Sequence, residues 1–130
     1  MTAIHYDLYI DQGSDYTQVF KIQVLTDPSL PYDPTSNPYL PLDLTNYTAT
    51  FQVESSYCSG TALLILTVGN GILLGGPLGT VSLVITGTQS AAMPTECGEY
   101  TEYFYQLELY SGGITARPVQ GKFIISKEII

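Results

Sequence analysis

The segment LDLTNYTATFQVE, residues 42–54, constrains the fold of this chain more than any other stretch. From Tyr47 onward, apolar side chains alternate with threonine, glutamine and glutamate, which is the period-two pattern of a strand with one buried face. The polar residues 43–46 favour a tight turn, because Asp and Thr side chains can hydrogen-bond to nearby backbone N–H groups. A half-buried strand of this kind requires a sheet and an apolar layer packed against it.

Alternation of apolar and polar side chains recurs along the rest of the chain. Residues 62–68 (ALLILTV) are apolar on both parities, so we expect both faces of that strand to be covered by another element or subunit. Short polar or glycine-rich segments separate the predicted strands, and Asn70-Gly71 predicts a type I′ hairpin turn. The other predicted strands cover residues 3–10, 16–24, 72–74, 80–86, 99–110 and 114–125.

These seven or eight strands predict a single all-β domain over residues 1–130, an antiparallel β-sandwich with one short helical turn. The helical turn is predicted at residues 88–93, with Thr86 or Thr88 as its N-cap and Pro94 as its end. The predicted core consists of Phe20, Ile22, Phe51, Val53, Leu64, Leu66, Val81, Leu83, Ile85, Tyr105, Leu107 and Phe123.

Residues 27–41 (DPSLPYDPTSNPYLP) hold five of the eight prolines. Because proline lacks the N–H of a ladder hydrogen bond, we predict a stiff loop without strand structure. It is either an ordinary solvent loop or a contact arm that presents tyrosine and leucine side chains to a partner. The candidate protein-contact residues are Leu30, Tyr32, Tyr39 and Leu40 in this segment, and Leu63 and Ile65 on one face of residues 62–68.

The low content of basic residues and the lack of a long apolar run limit the kinds of partner that we expect. Only 12 % of the residues are charged and the net charge is −8, with four basic residues that do not cluster. Phosphate binding needs several basic side chains on one face, so we expect no nucleic-acid partner. No apolar run reaches the roughly 18 residues of a spanning helix, and the first residues lack a signal-peptide pattern. We therefore expect no membrane partner and no export by that route.

Candidate catalytic and metal-binding residues are few. His5 is the one imidazole, so any Ser-His or Cys-His nucleophilic pair would need it, although its strand position favours a structural role. Cys58 and Cys97 lie far apart in sequence and are predicted to be reduced thiols. We predict no metal site, no cofactor and no enzymatic activity. Carboxylate pairs for glycoside chemistry would have to come from Glu99, Glu102 and Glu108, but acids such as Glu102 and Glu108 are routine on the outward face of a strand.

Five segments together resemble small structural proteins of tailed bacteriophages, including the amino-terminal domain of the baseplate upper protein and related tail or virion proteins. Family members commonly have Gly where Asn46 stands and often a basic residue near Glu54. Asn, like Gly, is common in turns, so the first difference preserves the turn. The second difference changes the sign of a charge, and with it any electrostatic contact that family members share at this position. The segments are YDLYIDQGSDYTQVFKI, LDLTNYTATFQV, GTVSLVITGTQSAAM, GEYTEYFYQLEL and GKFIISKEI.

This resemblance implies an immunoglobulin-like module that joins virion parts, with residues 27–41 inserted where a short hairpin is usual. The expected function is that of a tail or baseplate adaptor, made and assembled in the cytoplasm of the bacterial host and carried in the virion. Its partners would be other virion proteins or copies of itself. Two alternatives stay open: a capsid cement or decoration protein, and a glycan-binding module suggested by eleven tyrosines. Tyr103 and Tyr105 have core parity, which weakens the glycan hypothesis.

Overall fold

A computed structural model describes residues 3–129, and the fold in this range is all-β and sandwich-like, as predicted. Eleven strands occur there because the predicted strands 3–10 and 16–24 are each divided in two and because residues 39–41 also form a strand. The strands are β1 Ile4–His5, β2 Leu8–Asp11, β3 Tyr16–Lys21, β4 Gln23–Leu25, β5 Tyr39–Pro41, β6 Thr48–Glu54, β7 Ala62–Val68, β8 Gly71–Leu74, β9 Thr80–Ile85, β10 Tyr100–Ser111 and β11 Ile114–Ser126.

Nine strands form one curled sheet in the order β1-β11-β10-β6-β7-β8-β9-β3, with β2 also paired to β11. The longest ladder joins β10 and β11 through a turn in which Gly112 and Gly113 both have positive φ. Strand β6 runs antiparallel to β10, with Phe51 opposite Leu107. Three pairings are parallel, namely β1 with β11, β2 with β11, and β7 with β8. The sheet is therefore mixed, although antiparallel pairs form most of it.

The core is formed by the buried face of this sheet. Phe51 is fully buried at its centre, with ring centroids 5.2 Å from Tyr105 and 6.2 Å from Phe123. Two predicted core residues, Phe20 and Leu64, are half-buried at its rim and pack against the buried cluster. The other ten predicted core residues are buried, namely Ile22, Phe51, Val53, Leu66, Val81, Leu83, Ile85, Tyr105, Leu107 and Phe123.

The α-helix α1 spans Gly87–Ala91, so it begins one residue earlier than predicted. Thr86, one of the two predicted caps, accepts a hydrogen bond from the Gln89 N–H at 3.1 Å. The Gln89 side chain in turn accepts from the Thr86 N–H at 2.9 Å, which completes a capping box. Five residues of helix need such a cap because a single turn leaves most backbone donors without helical partners.

The predicted type I′ hairpin at Asn70-Gly71 is wrong. Gly69 and Gly71 have positive φ, whereas no residue other than glycine does so among residues 3–129. Thr67 and Asn70 exchange two backbone hydrogen bonds, of 3.1 and 2.8 Å, around a tip at residues 68–69. Glycine adopts left-handed conformations at lower cost than asparagine, so the two flanking glycines set the turn.

The chain leaves the large sheet at Ile22, where the predicted strand 16–24 divides. Strand β3 pairs with β9, whereas β4 pairs with β5 in a separate two-stranded sheet. The Ile22 N–H donates to the Gly79 carbonyl at 2.7 Å, and the Leu42 N–H donates to the Ile22 carbonyl at 2.9 Å. A Cβ on Gly79 would lie 2.7 Å from the Ile22 carbonyl oxygen, and Gly79 has a φ of +71°. Glycine therefore permits the close approach at this corner.

The prediction that residues 27–41 contain no strand is wrong for Tyr39–Pro41, which is β5. Pro41 lies opposite Gln23, at the end of a ladder of three residue pairs. A proline is tolerated there because the end and the outer edge of a two-stranded sheet need no N–H from it. Residues 23–41 form a hairpin-like projection, which we call the arm.

Candidate contact surfaces

The arm exposes the four contact residues that were predicted for it. Their exposed fractions lie between 46 % and 54 %. The rings of Tyr32 and Tyr39 stack with centroids 5.0 Å apart and an interplanar angle of 21°. The two rings therefore form one continuous exposed aromatic surface. The exposed residues of the arm are Leu30, Tyr32, Tyr39 and Leu40.

A buried amide, that of Asn37, organises the arm. Asn37 is 3 % exposed, and the two hydrogens of its Nδ2 are shared among the carbonyls of Asp27, Leu30 and Pro31, at 3.0, 3.2 and 2.9 Å from the nitrogen. Its Oδ1 accepts from the Asp27 N–H at 2.7 Å. Backbone hydrogen bonds in both directions also join Asn37 to Asp33. One polar side chain thus satisfies backbone groups on several turns of a segment that has little apolar core.

Two aspartates form local turns within the arm. Asp27 Oδ1 accepts from the Ser29 hydroxyl at 2.7 Å and from its N–H at 3.0 Å, and these bonds lower the pKa of Asp27. Asp33 Oδ1 accepts from the N–H groups of Thr35 and Ser36, which lowers the pKa of Asp33. Both carboxylates are therefore engaged within the arm.

The structure separates Leu63 from Ile65, which were predicted to share one face of residues 62–68. A register shift lies between Val53 and Glu54 of β6, so that Val53 pairs with Leu64 and Glu54 with Ala62. The irregularity leaves Leu63 without a directly opposite residue, and it packs against the core instead. Ile65 lies opposite Gln52 on the outer face of the sheet and is 49 % exposed. Of the two, Ile65 presents the larger surface to a partner.

A groove of about 210 Å³ lies on the outer face of the sheet, over β6 and β10. Its floor comes from residues that alternate with buried ones, paired across the strands as Phe104 with Glu54, Gln106 with Gln52, and Glu108 with Thr50. The loop after β6 covers one end, where the Tyr57 ring lies 5.0 Å from the Phe104 ring, centroid to centroid, at 37°. The groove is lined by Thr50, Gln52, Glu54, Ser56, Tyr57, Phe104, Tyr105, Gln106 and Glu108.

The carboxylates of the groove already have partners within the chain. Glu54 accepts hydrogen bonds from the Gln52 amide at 2.7 Å and from the Ser59 hydroxyl at 2.8 Å. Glu108 faces Arg117 at 3.7 Å, a distance typical of a weak surface ion pair. The side-chain amide of Gln106 makes no hydrogen bond to another side chain within residues 3–129. The groove therefore offers one amide at its centre that can both donate and accept.

The structure also locates the other residues that the sequence singled out. His5 is exposed on β1, with Gln120 Nε2 at 3.4 Å from its Nε2. Cys58 and Cys97 are free and exposed. Glu102 pairs with Lys122 at 3.6 Å, well along β10 from Glu108. Residues 3–129 contain no group of three or more His, Cys, Asp or Glu side chains arranged to hold a metal ion. No helix in this range is long and apolar enough to cross a membrane.

Sequence reasoning missed Asn37 and the groove. One signal for the groove was present, because Phe104 is an aromatic residue on the otherwise polar face of residues 99–110. No protein-family model matches the chain, and no curated protein matches it either. The arm and the groove are the two candidate contact surfaces of the described residues.

Proposed function

We propose that this chain is a non-enzymatic structural protein of a tailed-bacteriophage virion, a tail or baseplate adaptor that joins neighbouring subunits through the arm. The observation that carries the proposal is the exposed, stacked pair of Tyr32 and Tyr39 on a segment that is already ordered. The phage assignment itself comes from the sequence resemblance. The partners are other virion proteins or copies of this chain, and assembly takes place in the host cytoplasm.

The chemistry of the arm suits a protein partner. Protein interfaces are enriched in tyrosine and depleted of lysine and glutamate at their centres, and the arm contains neither lysine nor glutamate. Its two aspartates are exposed but engaged in local turns, and four large aromatic or aliphatic side chains are exposed among the polar residues of the arm. An ordered arm also loses little conformational entropy when it binds, which favours affinity.

Electron microscopy of the particle whose genome encodes this chain tests the proposal directly. We expect density for the sandwich in the tail or baseplate, with the arm against a neighbouring subunit. Density on the head shell would instead favour the capsid decoration alternative. Absence of the chain from purified particles would contradict both roles.

A double variant, Tyr32→Ser with Tyr39→Ser, tests the arm itself. It removes both rings but keeps Asn37, whose loss would also disorder the arm. Anchoring aromatic residues commonly contribute about 2 kcal/mol each to an interface, so we expect incorporation into particles to fall at least about tenfold. The matched control replaces Tyr9 and Tyr100, two exposed tyrosines outside the arm, with serine. Equal incorporation of both double variants would show that the arm is an ordinary surface loop.

A further inference from the structure

The groove over β6 and β10 has an aromatic end and a polar floor. The aromatic end is made by Tyr57 and Phe104, and Tyr57 is 58 % exposed, so its ring remains accessible. The rest of the floor is polar and is made by Thr50, Gln52, Glu54, Gln106 and Glu108. A concave site that combines aromatic surface with a few convergent polar groups is the usual form of a small-molecule site.

The size of the groove limits what it can hold. Sites that enclose a drug-sized molecule measure roughly 300–1,000 Å³, whereas this groove measures about 210 Å³. It therefore suits one ring rather than an extended molecule. Its open side would allow the rest of a longer ligand to continue into solvent.

The charges of the groove favour a neutral ligand. No basic residue lines it and the whole chain carries a net charge of −8, so an anionic ligand such as a phosphate or a carboxylated sugar would be repelled. The same net charge would attract a cation, but the two carboxylates that could hold one already have partners, because Glu54 accepts two hydrogen bonds and Glu108 faces Arg117.

We propose that the groove binds one neutral pyranose ring of a saccharide. The apolar face of the sugar stacks on the Tyr57 ring, and its hydroxyl groups exchange hydrogen bonds with the amides of Gln106 and Gln52. Both partners suit this exchange, because a hydroxyl and an amide can each donate and accept. This inference rests on the groove alone and is independent of the role proposed for the arm.

The spacing of the acids assigns binding rather than cleavage to this groove. Glu108 pairs with Thr50, four positions along β6 from Glu54, which corresponds to about 13 Å along the strand. The two carboxyl groups of a glycosidase lie roughly 5–9.5 Å apart. The backbone positions of Glu54 and Glu108 are therefore farther apart than the carboxyl groups of either glycosidase mechanism, and each side chain has its own partner within the chain.

The experiment is an NMR titration of the full chain with four neutral sugars, the methyl glycosides of glucose, galactose, mannose and N-acetylglucosamine. We expect at least one of them to give saturable shifts of the Tyr57, Phe104 and Gln106 amide signals at concentrations up to about 50 mM, which detects millimolar affinity. Tyr57→Ala and Gln106→Leu should each weaken this binding about tenfold. Tyr57→Phe keeps the stacking ring and should bind nearly as well as the unaltered chain.

The matched control is Tyr100→Ala, which removes an exposed tyrosine from the same face of β10 outside the groove. It should leave the sugar affinity unchanged. Tyr57 lies in an exposed loop, so a well-dispersed spectrum of Tyr57→Ala will separate lost binding from lost folding. The proposal is overturned if none of the four sugars gives saturable shifts, or if Tyr57→Ala binds as well as the unaltered chain. It is also overturned if tetramethylammonium or arginine shifts the groove signals while the sugars do not.

Discussion

In the core, apolar side chains from distant parts of the sequence pack around Phe51, whereas in the arm one buried amide, Asn37, collects hydrogen bonds from residues at most ten positions away. The core is stabilised by removal of apolar surface from water, a force without direction. The arm is stabilised by directional bonds between polar groups, and its large apolar side chains face outward. Hydrophobic side chains thus stabilise the core by being buried, whereas those of the arm remain exposed to a partner.

The difference implies that the two regions respond independently to perturbation. Loss of packing in the core should destabilise the whole sheet, because the residues of β6, β10 and β11 share one cluster. Loss of a hydrogen bond in the arm should release only the arm, because few contacts besides those at Ile22 and Leu42 tie its base to the sheet. Proteins commonly contain such units of unequal local stability.

The largest effect is expected from Phe51→Ala. The residue is fully buried between Tyr105 and Phe123, and truncation of a buried phenylalanine costs about 3–5 kcal/mol through lost burial and the cavity left behind. Chemical denaturation should show a lower midpoint of the single global transition. A midpoint that does not move would contradict the central position of this ring.

Asn37→Ala should give a smaller and local effect. The substitution leaves the Asp27 N–H and three backbone carbonyls without their partner, at a cost of about 1–3 kcal/mol within the arm. Hydrogen exchange should accelerate at the amides of residues 26–38 and remain unchanged in β10. If the global midpoint falls as much as it does in Phe51→Ala, the arm and the core are one cooperative unit. Asn46→Ala, at an exposed turn position, is the matched control.

Leu63→Thr and Ile65→Thr compare a position packed against the core with an exposed position of the same strand, β7. Leu63 packs against the core, so its replacement should cost about 1–2 kcal/mol in the free energy of unfolding. Ile65 is half-exposed on the outer face, and its replacement should stay within about 0.5 kcal/mol. Thermal unfolding of the two variants measures the difference. Equal destabilisation would mean that Ile65 is also covered within the chain.

The smallest effect on stability is expected when the pH is lowered and the aspartates of the arm become protonated. The hydrogen bonds to Asp27 and Asp33 lower the pKa of each carboxyl below its unfolded value of about 4. Their contribution to the arm is therefore present above about pH 4 and is lost as the pH falls through the lower folded pKa. Both groups are exposed, so the loss is local and weakened by salt.

NMR signals of the Ser29 and Thr35 amides, which donate to these carboxylates, should shift with pH before any signal in β10 changes. Asp27→Asn should abolish the shift at Ser29 and leave that at Thr35. Simultaneous changes in the arm and in β10 would instead indicate acid unfolding of the whole domain.

The sequence predicts the fold well wherever burial alternates along a strand. Tyr105 and Leu107 were assigned to the core and Tyr103 was given core parity, and all three are buried. The alternation of faces gave the wrong side for Leu63, because a β-bulge shifts which residues point inward after it. No residue type marks such a bulge reliably in the sequence.

The contact surfaces were only partly predictable. The tyrosines of the arm stood out by composition, but the burial of Asn37 depends on how three turns fold around it. The groove depends on the register that places Gln106 opposite Gln52, which are 54 positions apart in the sequence. Local patterns contain no information on such pairings.

The parallel pairing of β1 and β2 with β11 has a consequence for biosynthesis. A hydrogen bond from the Lys122 N–H to Asp7 joins residues 115 positions apart. At about 5–20 residues per second, a ribosome needs on the order of ten seconds to reach Lys122 after it has made Asp7. Throughout that interval the backbones of Leu8 and Ile10 lack the strand with which they pair. Strands β1 and β2 are thus translated well before β11, and they can dock in their native register only after it has been made.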